Sequence, residues 1–284
     1  MTVTRLAFKL GAGTNQIDLA KSMSAIMRTM IRQKQTFTIL GGQIVDNADA
    51  TVKISTAPNT WYVRAAVNRG FKAWKQMRSR TLENASLEDN SPVVGKYSDY
   101  KVTLNGASTT ILPHYTGGGT VVPIATPSEW NYADLTAEDG QSKSLKIMGD
   151  HTGAYYGLCK GWLETRALPD ATNEPTMPDL NSDSTPDYEV DFLNTLHDTQ
   201  DGQPERLALV YEENDNAPFA IQNVYGNVDH TNNLQLQSLT YTSSTNPHHM
   251  VAGFKALCGL IQVDVAGGSD PILFLDVLNT PEAF

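Results

Sequence analysis

The 284-residue sequence has only two cysteines, Cys159 and Cys258, and each lies in an apolar run. Because the two thiols lack C-x-x-C spacing, they indicate small buried hydrophobic residues rather than a zinc site. The sequence does not decide whether they form a disulfide. No stretch approaches ~20 consecutive apolar residues, the length that crosses a bilayer. These scarcities exclude a disulfide-rich scaffold and predict no membrane span.

Catalytic motifs are also scarce. There is no G-x-x-x-x-G-K-[ST] phosphate loop, no G-x-S-x-G elbow and no H-E-x-x-H zinc helix. The glycines at 117–119 precede Thr120, which indicates a turn. Only His248 and His249 are adjacent histidines, and neighbours in a strand point to opposite faces, which suits shared chelation poorly. We therefore predict a protein that is not an enzyme, with no catalytic residue, no metal site and no cofactor.

Clustered acidic residues leave two alternatives open. The oxygen-rich run at 212–216 is typical of a solvated turn, although calcium takes such ligands; it lacks D-x-D-x-D-G spacing. A carboxylate-based hydrolase needs two acids in one cleft, and one region is rich in them. Its carboxylates are Asp179, Asp183, Asp187, Glu189 and Asp191.

Positive charge is concentrated at one end of the sequence. Residues 1–83 contain 13 of the 21 Lys and Arg residues but 4 of the 31 Asp and Glu residues, giving +9 against −19 for the remainder. A segregated basic region of an acidic protein is able to face a polyanion. The alternative is that basic helices only neutralise the acidic remainder by packing against it.

Two segments have helical periodicity. Over residues 15–35, apolar residues recur at three- and four-residue steps, with Thr14 or Asn15 as the cap. Over residues 61–81, capped by Asn59 or Thr60, an apolar stripe alternates with six cations and no acid. Surface helices usually mix charge signs, since like charges repel at i,i+4. The single sign therefore suggests a partner that neutralises it.

Elsewhere the patterns predict strands. Residues 36–45 and 50–56 are rich in β-branched residues and indicate a hairpin around a polar turn. Further strands are predicted at 97–104, 110–113, 120–124, 142–148, 155–164, 206–211, 234–242, 254–265 and 272–277. The proline-rich residues 168–187 indicate a long loop. We predict a single domain over residues 1–284: mainly β, an antiparallel sandwich with two or three inserted or N-terminal helices.

The two basic helices supply the candidate nucleic-acid contacts. Phosphate binding depends on Lys and Arg density more than on exact spacing. Trp61, Tyr62, Phe71 and Trp74 alternate with these cations and either stack on unpaired bases or pack in the core. The predicted contacts are Arg28, Arg32, Lys34, Arg64, Arg69, Lys72, Lys75, Arg78 and Arg80.

Three segments resemble the coat proteins of small circular single-stranded DNA viruses from aquatic environments. They are Leu10-Gly11-Ala12-Gly13-Thr14-Asn15, Thr56-Ala57-Pro58-Asn59-Thr60-Trp61 and Ala256-Leu257-Cys258-Gly259-Leu260-Ile261-Gln262-Val263. The resemblance covers residues 10–80 and the C-terminal fifth. The chain differs from many such coats in one respect. Those coats carry a long Arg-rich N-terminal arm, whereas the first 20 residues here contain only two basic residues, Arg5 and Lys9.

The resemblance implies a jelly-roll subunit that self-assembles in many copies into an icosahedral shell, the virion capsid, around packaged nucleic acid, expected to be single-stranded DNA. The basic helices would face inward and make nonspecific contacts. The main alternative is a β-sandwich glycan-binding or fibre module that uses an aromatic loop at Glu129-Trp130-Asn131-Tyr132. The carboxylate hydrolase is the lesser one.

Overall fold

The computed structural model describes residues 2–89, 98–106, 109–117, 120–123, 129–136, 142–164, 234–267 and 270–279. The chain separates into two units, the first formed by Met1–Glu164 and Tyr225–Phe284. The second, Thr165–Val224, lies outside the described residues, as do the predicted loop at 168–187 and the predicted strand at 206–211. The single domain over 1–284 therefore stays a prediction.

Thirteen strands and three helices are described. The strands are β1 Val3–Lys9, β2 Gly13–Asp18, β3 Thr36–Val45, β4 Ala50–Thr56, β5 His114–Gly117, β6 Thr120–Pro123, β7 Asp134–Thr136, β8 Ser142–Lys146, β9 Tyr155–Gly157, β10 Gln235–Thr242, β11 His248–Leu257, β12 Leu260–Gly267 and β13 Ile272–Leu278. The helices are α1 Leu19–Met27, α2 Trp61–Asp89 and α3 Leu158–Glu164. The predicted mainly β fold with antiparallel sheets and few helices is confirmed.

Eight strands form two four-stranded antiparallel sheets. One has the order β1-β13-β3-β11 and the other β10-β4-β12-β2. Counted along the chain, the first of the eight pairs with the last, the second with the seventh, the third with the sixth and the fourth with the fifth. The chain therefore folds back on itself as one long antiparallel hairpin divided between two sheets.

The two sheets share one apolar core. In β13 the side chains alternate, so that Leu273, Leu275 and Val277 are buried. They join one cluster with residues of the other sheet, such as Ile54 of β4 and Val263 of β12. Period-2 alternation places one face of each strand inward, so burial of these faces holds the sheets together.

The first helix is much shorter than predicted. Residues 15–18 belong to β2 and pair with β12, and the N-cap is Asp18, whose side chain accepts from the Lys21 N–H at 3.0 Å. The helix ends at Arg28, whose left-handed backbone (φ 52°) stops it. The prediction of a helix over 15–35 was wrong because Ile31, beyond the helix, also packs against the core and extends the apolar spacing.

The second helix is longer than predicted. The hydroxyl of Thr60 accepts from the N–H of Val63 at 3.4 Å at its start, and the helix continues to Asp89 rather than residue 81. No glycine or proline interrupts residues 71–89, so nothing in the local sequence stops it. Val63 and Val67 are buried, while Phe71 and Trp74 are half-buried.

A second group of elements packs beside α2. The Tyr62 hydroxyl donates to the Cys159 carbonyl of α3 at 3.0 Å, and the Tyr100 hydroxyl donates to the Val67 carbonyl at 3.3 Å. Strands β7, β8 and β9 form a small sheet, in which β8 and β9 are parallel. Residues 155–164, predicted as one strand, are β9 followed by α3.

Two strand predictions were wrong in their connections. Strands β3 and β4 have the predicted bounds, but they lie in different sheets and so form no hairpin. Residues 254–265, predicted as one strand, are two strands separated by Cys258 and Gly259, which both have positive φ (57° and 67°). This two-residue turn carries the chain from one sheet to the other.

Gly259→Ala is expected to lower the free energy of unfolding by about 2–4 kcal/mol, because an L side chain is strained at this φ and crowds the core. A Cβ there would lie 2.9 Å from Phe37 Cδ2 and 3.1 Å from Leu19 Cβ. Urea denaturation measures the loss. Gly153→Ala is the control, since its Cβ would meet nothing within 4 Å; equal stability of the two variants would contradict this account of the turn.

Candidate nucleic-acid interface

Two separate segments bring cations to one cleft beside α2. The cleft has a volume of about 590 Å³ and opens between residues 32–35 and the middle of the helix. Four of the nine predicted contacts line it: Arg32, Lys34, Lys75 and Arg78. Asp99 is the acid among the lining residues, so the lining is strongly cationic.

The solvent-facing side of α2 extends this charge. Arg69, Lys72, Lys75 and Arg80 are exposed, and residues 61–82 contain no acid. We call these four residues the cationic face. Among the described residues, no ion pair or hydrogen bond is recorded for Lys72, Lys75 or Arg80. Neighbouring like charges cost stability on an isolated helix, so the face suits an anionic partner.

The remaining predicted residues lie outside the cleft. Arg28 is exposed at the end of α1, and Arg64 is half-buried in the first turn of α2, where its Nε donates to Asn59 Oδ1 at 2.7 Å. This hydrogen bond fixes the start of the helix, so the Arg64 side chain is not directed into the cleft. The structure thus brings Arg32 and Lys34 together with Lys75 and Arg78 of α2, and it places Arg28 and Arg64 apart from the lining residues.

Residues 32–35 are held in place by Gln33, which is 1% exposed. Its amide accepts from the Val102 N–H and donates to the Val102 carbonyl (2.9 Å) and to Asp18 Oδ2 (3.1 Å). The Gln35 carbonyl accepts from the Cys258 N–H at 2.9 Å. Nothing in the sequence around Gln33 signals this role, because the contact at residue 102 is remote in the chain.

Aromatic rings form the floor of the cleft. Phe71 and Trp74 stack with ring centroids 6.2 Å apart, and both lie against Tyr100. The Lys34 ammonium lies 5.0 Å from the Phe71 centroid, and the Arg78 guanidinium lies 5.4 Å from the Trp74 centroid. Such cation–π contacts hold the charged ends over the rings.

Several other basic residues of the first third are neutralised within the chain. Arg5 forms a bidentate pair with Asp276 at 2.7 Å, and Lys9 pairs with Asp270 at 2.7 Å. Arg32 lies 3.6 Å from Asp99, although its side chain is 76% exposed. The alternative in which basic residues offset acids of the same chain therefore holds for β1, whereas none of the ion pairs between described residues involves Lys72, Lys75 or Arg80.

A buried carboxyl lies behind the cleft. Asp18 is fully buried, and burial raises its pKa to about 6, although its hydrogen bonds from the Lys21 N–H and the Trp130 ring N–H act in the opposite direction. The Trp130 Nε1 donates to Asp18 Oδ2 at 3.1 Å. Asp18 thus joins α1, the Gln33 segment and residue 130 at one point.

Between pH 4 and pH 6, folded Asp18 binds a proton more readily than unfolded Asp18, whose pKa is near 3.8. Its contribution to stability is therefore fully present below pH 4 and falls as pH rises to about 6, by about 3 kcal/mol in total. Asp18→Asn is expected to remove this dependence. Urea midpoints of both proteins from pH 4 to 7 measure it; a wild-type-minus-variant difference that is constant over this range would refute the assignment.

The cysteines, the adjacent histidines and the acidic clusters were the other candidate sites in the sequence. Cys159 and Cys258 are both buried free thiols. His248 contacts Gln43 and His249 contacts the Asn246 carbonyl. Within the described part of the chain, no group of three His, Cys, Asp or Glu residues is placed to hold a metal, and no helix is long and apolar enough to cross a membrane. The acidic residues at 179–191 and 212–216 lie outside the described residues.

The aromatic loop proposed for glycans is packed rather than presented. Trp130 is half-buried against the core, and the Lys101 ammonium lies 4.6 Å from its ring centroid. Tyr132 is half-buried, and burial raises the pKa of its phenol. Glu129 and Asn131 are exposed and bond to each other. Both rings are thus partly covered by the same chain.

No protein family, no curated protein and no solved structure matches this chain significantly.

Proposed function

We propose that the two sheets form a jelly roll. This fold arises when a long antiparallel hairpin rolls into two facing sheets of four strands. The support is the pairing of first with eighth, second with seventh, third with sixth and fourth with fifth strand. The resulting sheet orders, 1-8-3-6 and 5-4-7-2, follow from such rolling.

We further infer that the chain is a viral coat subunit that assembles in many copies into an icosahedral shell around a nucleic-acid genome, with single-stranded DNA as the expected cargo. The observation that carries this is the cationic face of α2, continuous with Arg32 and Lys34, on a chain whose formal net charge is −10. An enclosed polyphosphate supplies the neutralising partner. The contacts are nonspecific because they depend on charge density.

Exposed apolar side chains at the sheet edges support self-association. Among the described strands, β10 and β11 lie at sheet edges, and they leave Tyr241 65% exposed and Met250 81% exposed. Leu236 and Leu239, also on β10, are 53% and 44% exposed. Unpaired strand edges with apolar side chains favour contacts with further chains. Repeated copies of the subunit would cover them.

Size-exclusion chromatography with negative-stain microscopy tests the proposal. Closed shells of megadalton size, eluting in the void volume, are expected from the purified chain or from the chain mixed with single-stranded DNA. A stable monomer or small oligomer under both conditions would reject the coat function.

A further inference from the structure

We propose that the cleft between residues 32–35 and α2 takes one unpaired nucleotide of a single-stranded nucleic acid, with its base on the aromatic floor and its phosphates on the cationic rim. This rests on the proposed function, which requires only nonspecific charge contacts. It adds a defined site that distinguishes single strands from duplexes.

The floor and the rim have the two chemistries that a nucleotide needs. The Arg78 guanidinium lies 5.4 Å from the Trp74 ring centroid, and bases stack on both aromatic rings and guanidinium planes. The Arg78 NH1 also donates to the Ser98 carbonyl at 2.7 Å, so the guanidinium is held by the ring and by the backbone. Lys75 stands on the rim within the same cleft.

The size of the cleft is sufficient for a single nucleotide. Its volume of about 590 Å³ lies within the roughly 300–1,000 Å³ of small-ligand sites. Bases within a duplex are paired and stacked, so they reach such a cleft only when splayed out. A duplex is therefore restricted to the outer cations.

The neighbouring cations give the strand a path out of the cleft. Arg69, Lys72 and Lys75 follow one another at three-residue steps, which makes them neighbours on the helix surface. Successive phosphates of an extended strand are able to follow this row while one base enters beside Lys75. The cleft and the cationic face thus form one continuous track.

The test compares oligomers that differ only in their bases. Fluorescence anisotropy is measured with the full chain, at a concentration where light scattering shows no assembly, against a thymidine oligomer and an abasic oligomer of equal length. We expect the thymidine oligomer to bind about tenfold more tightly, as one base stacks. A uridine oligomer extends the test to RNA. Tighter binding of either the thymidine or the uridine oligomer than of the abasic oligomer supports the site.

Trp74→Leu is expected to abolish the preference for bases, whereas Trp61→Leu, an exposed tryptophan outside the cleft lining, is expected to keep it. Bromouridine cross-linking of the wild-type chain needs no variant and should label Trp74 or Phe71. Equal binding of thymidine and abasic oligomers, or labelling confined to residues outside the cleft, overturns the nucleotide site and leaves the coat function standing. No binding to any oligomer overturns both.

Discussion

Replacing the cationic face (Arg69, Lys72, Lys75 and Arg80) with glutamine should lower affinity for single-stranded DNA roughly 10²–10³-fold near 0.1 M salt. Each lost cation removes about 0.7 from the slope of log affinity against log salt, so the slope should decrease by about 3. Because all four side chains are exposed, the free energy of unfolding should change little. Filter binding or anisotropy across a salt series measures both quantities.

The matched control neutralises Arg5 and Lys9, which are exposed but paired with Asp276 and Asp270. Their charges are already offset, so this variant should retain the affinity and salt slope of the wild type. A similar loss per charge in both variants would mean that net charge alone decides binding. An unchanged slope in the fourfold variant would remove α2 from the interface.

Gln33→Met should cost about 3 kcal/mol of stability and also weaken nucleic-acid binding. Methionine keeps the side-chain size but leaves the N–H and carbonyl of Val102 without their partner, and it removes one donor from Asp18. Residues 32–35 then lose their anchor, so Arg32 and Lys34 are no longer held beside α2. Urea denaturation and the oligomer assay measure the two effects.

Gln43→Met provides the control for this substitution. Gln43 is a half-buried glutamine of β3 that contacts His248 near the surface. Its replacement should leave both stability and affinity close to those of the wild type. If Gln33→Met behaves in the same way, Gln33 does not position the cleft.

Local patterns were sufficient for the central strands. The β-branched residues that predicted β3 and β4 are close together in the chain, and burial of alternate side chains in β13 also depends on adjacent residues. Their partners were not predictable, because pairing joins residues hundreds of positions apart, such as Arg5 with Asp276. The false hairpin between β3 and β4 came from assuming that successive strands pair.

The helices likewise combine features that local sequence predicts with features that depend on remote contacts. The sequence predicted α2 and its cations because helical spacing separates its apolar and basic residues. It overextended α1 because apolar residues after Arg28 continue to contact the core outside any helix. Capping by Asp18 was not predicted, since the carboxyl is fixed by remote partners, Gln33 and Trp130.

The cleft itself was only half predictable. The cations Arg32, Lys34, Lys75 and Arg78 were identified from charge density, whereas their convergence depends on Gln33 bridging to Val102. The aromatic residues were ambiguous between core and surface, and the structure separates them: Tyr62 is buried, while Phe71 and Trp74 line the cleft. Exposure of this kind follows from tertiary packing alone.

The most direct measurement is electron cryo-microscopy of nuclease-treated particles assembled from the full chain. The account predicts closed shells that retain nucleic acid, with α2 lining the inner surface and density for the cargo against Lys72 and Lys75. Shells that carry α2 on their outer surface, or that enclose nucleic acid without contact to this helix, would contradict it.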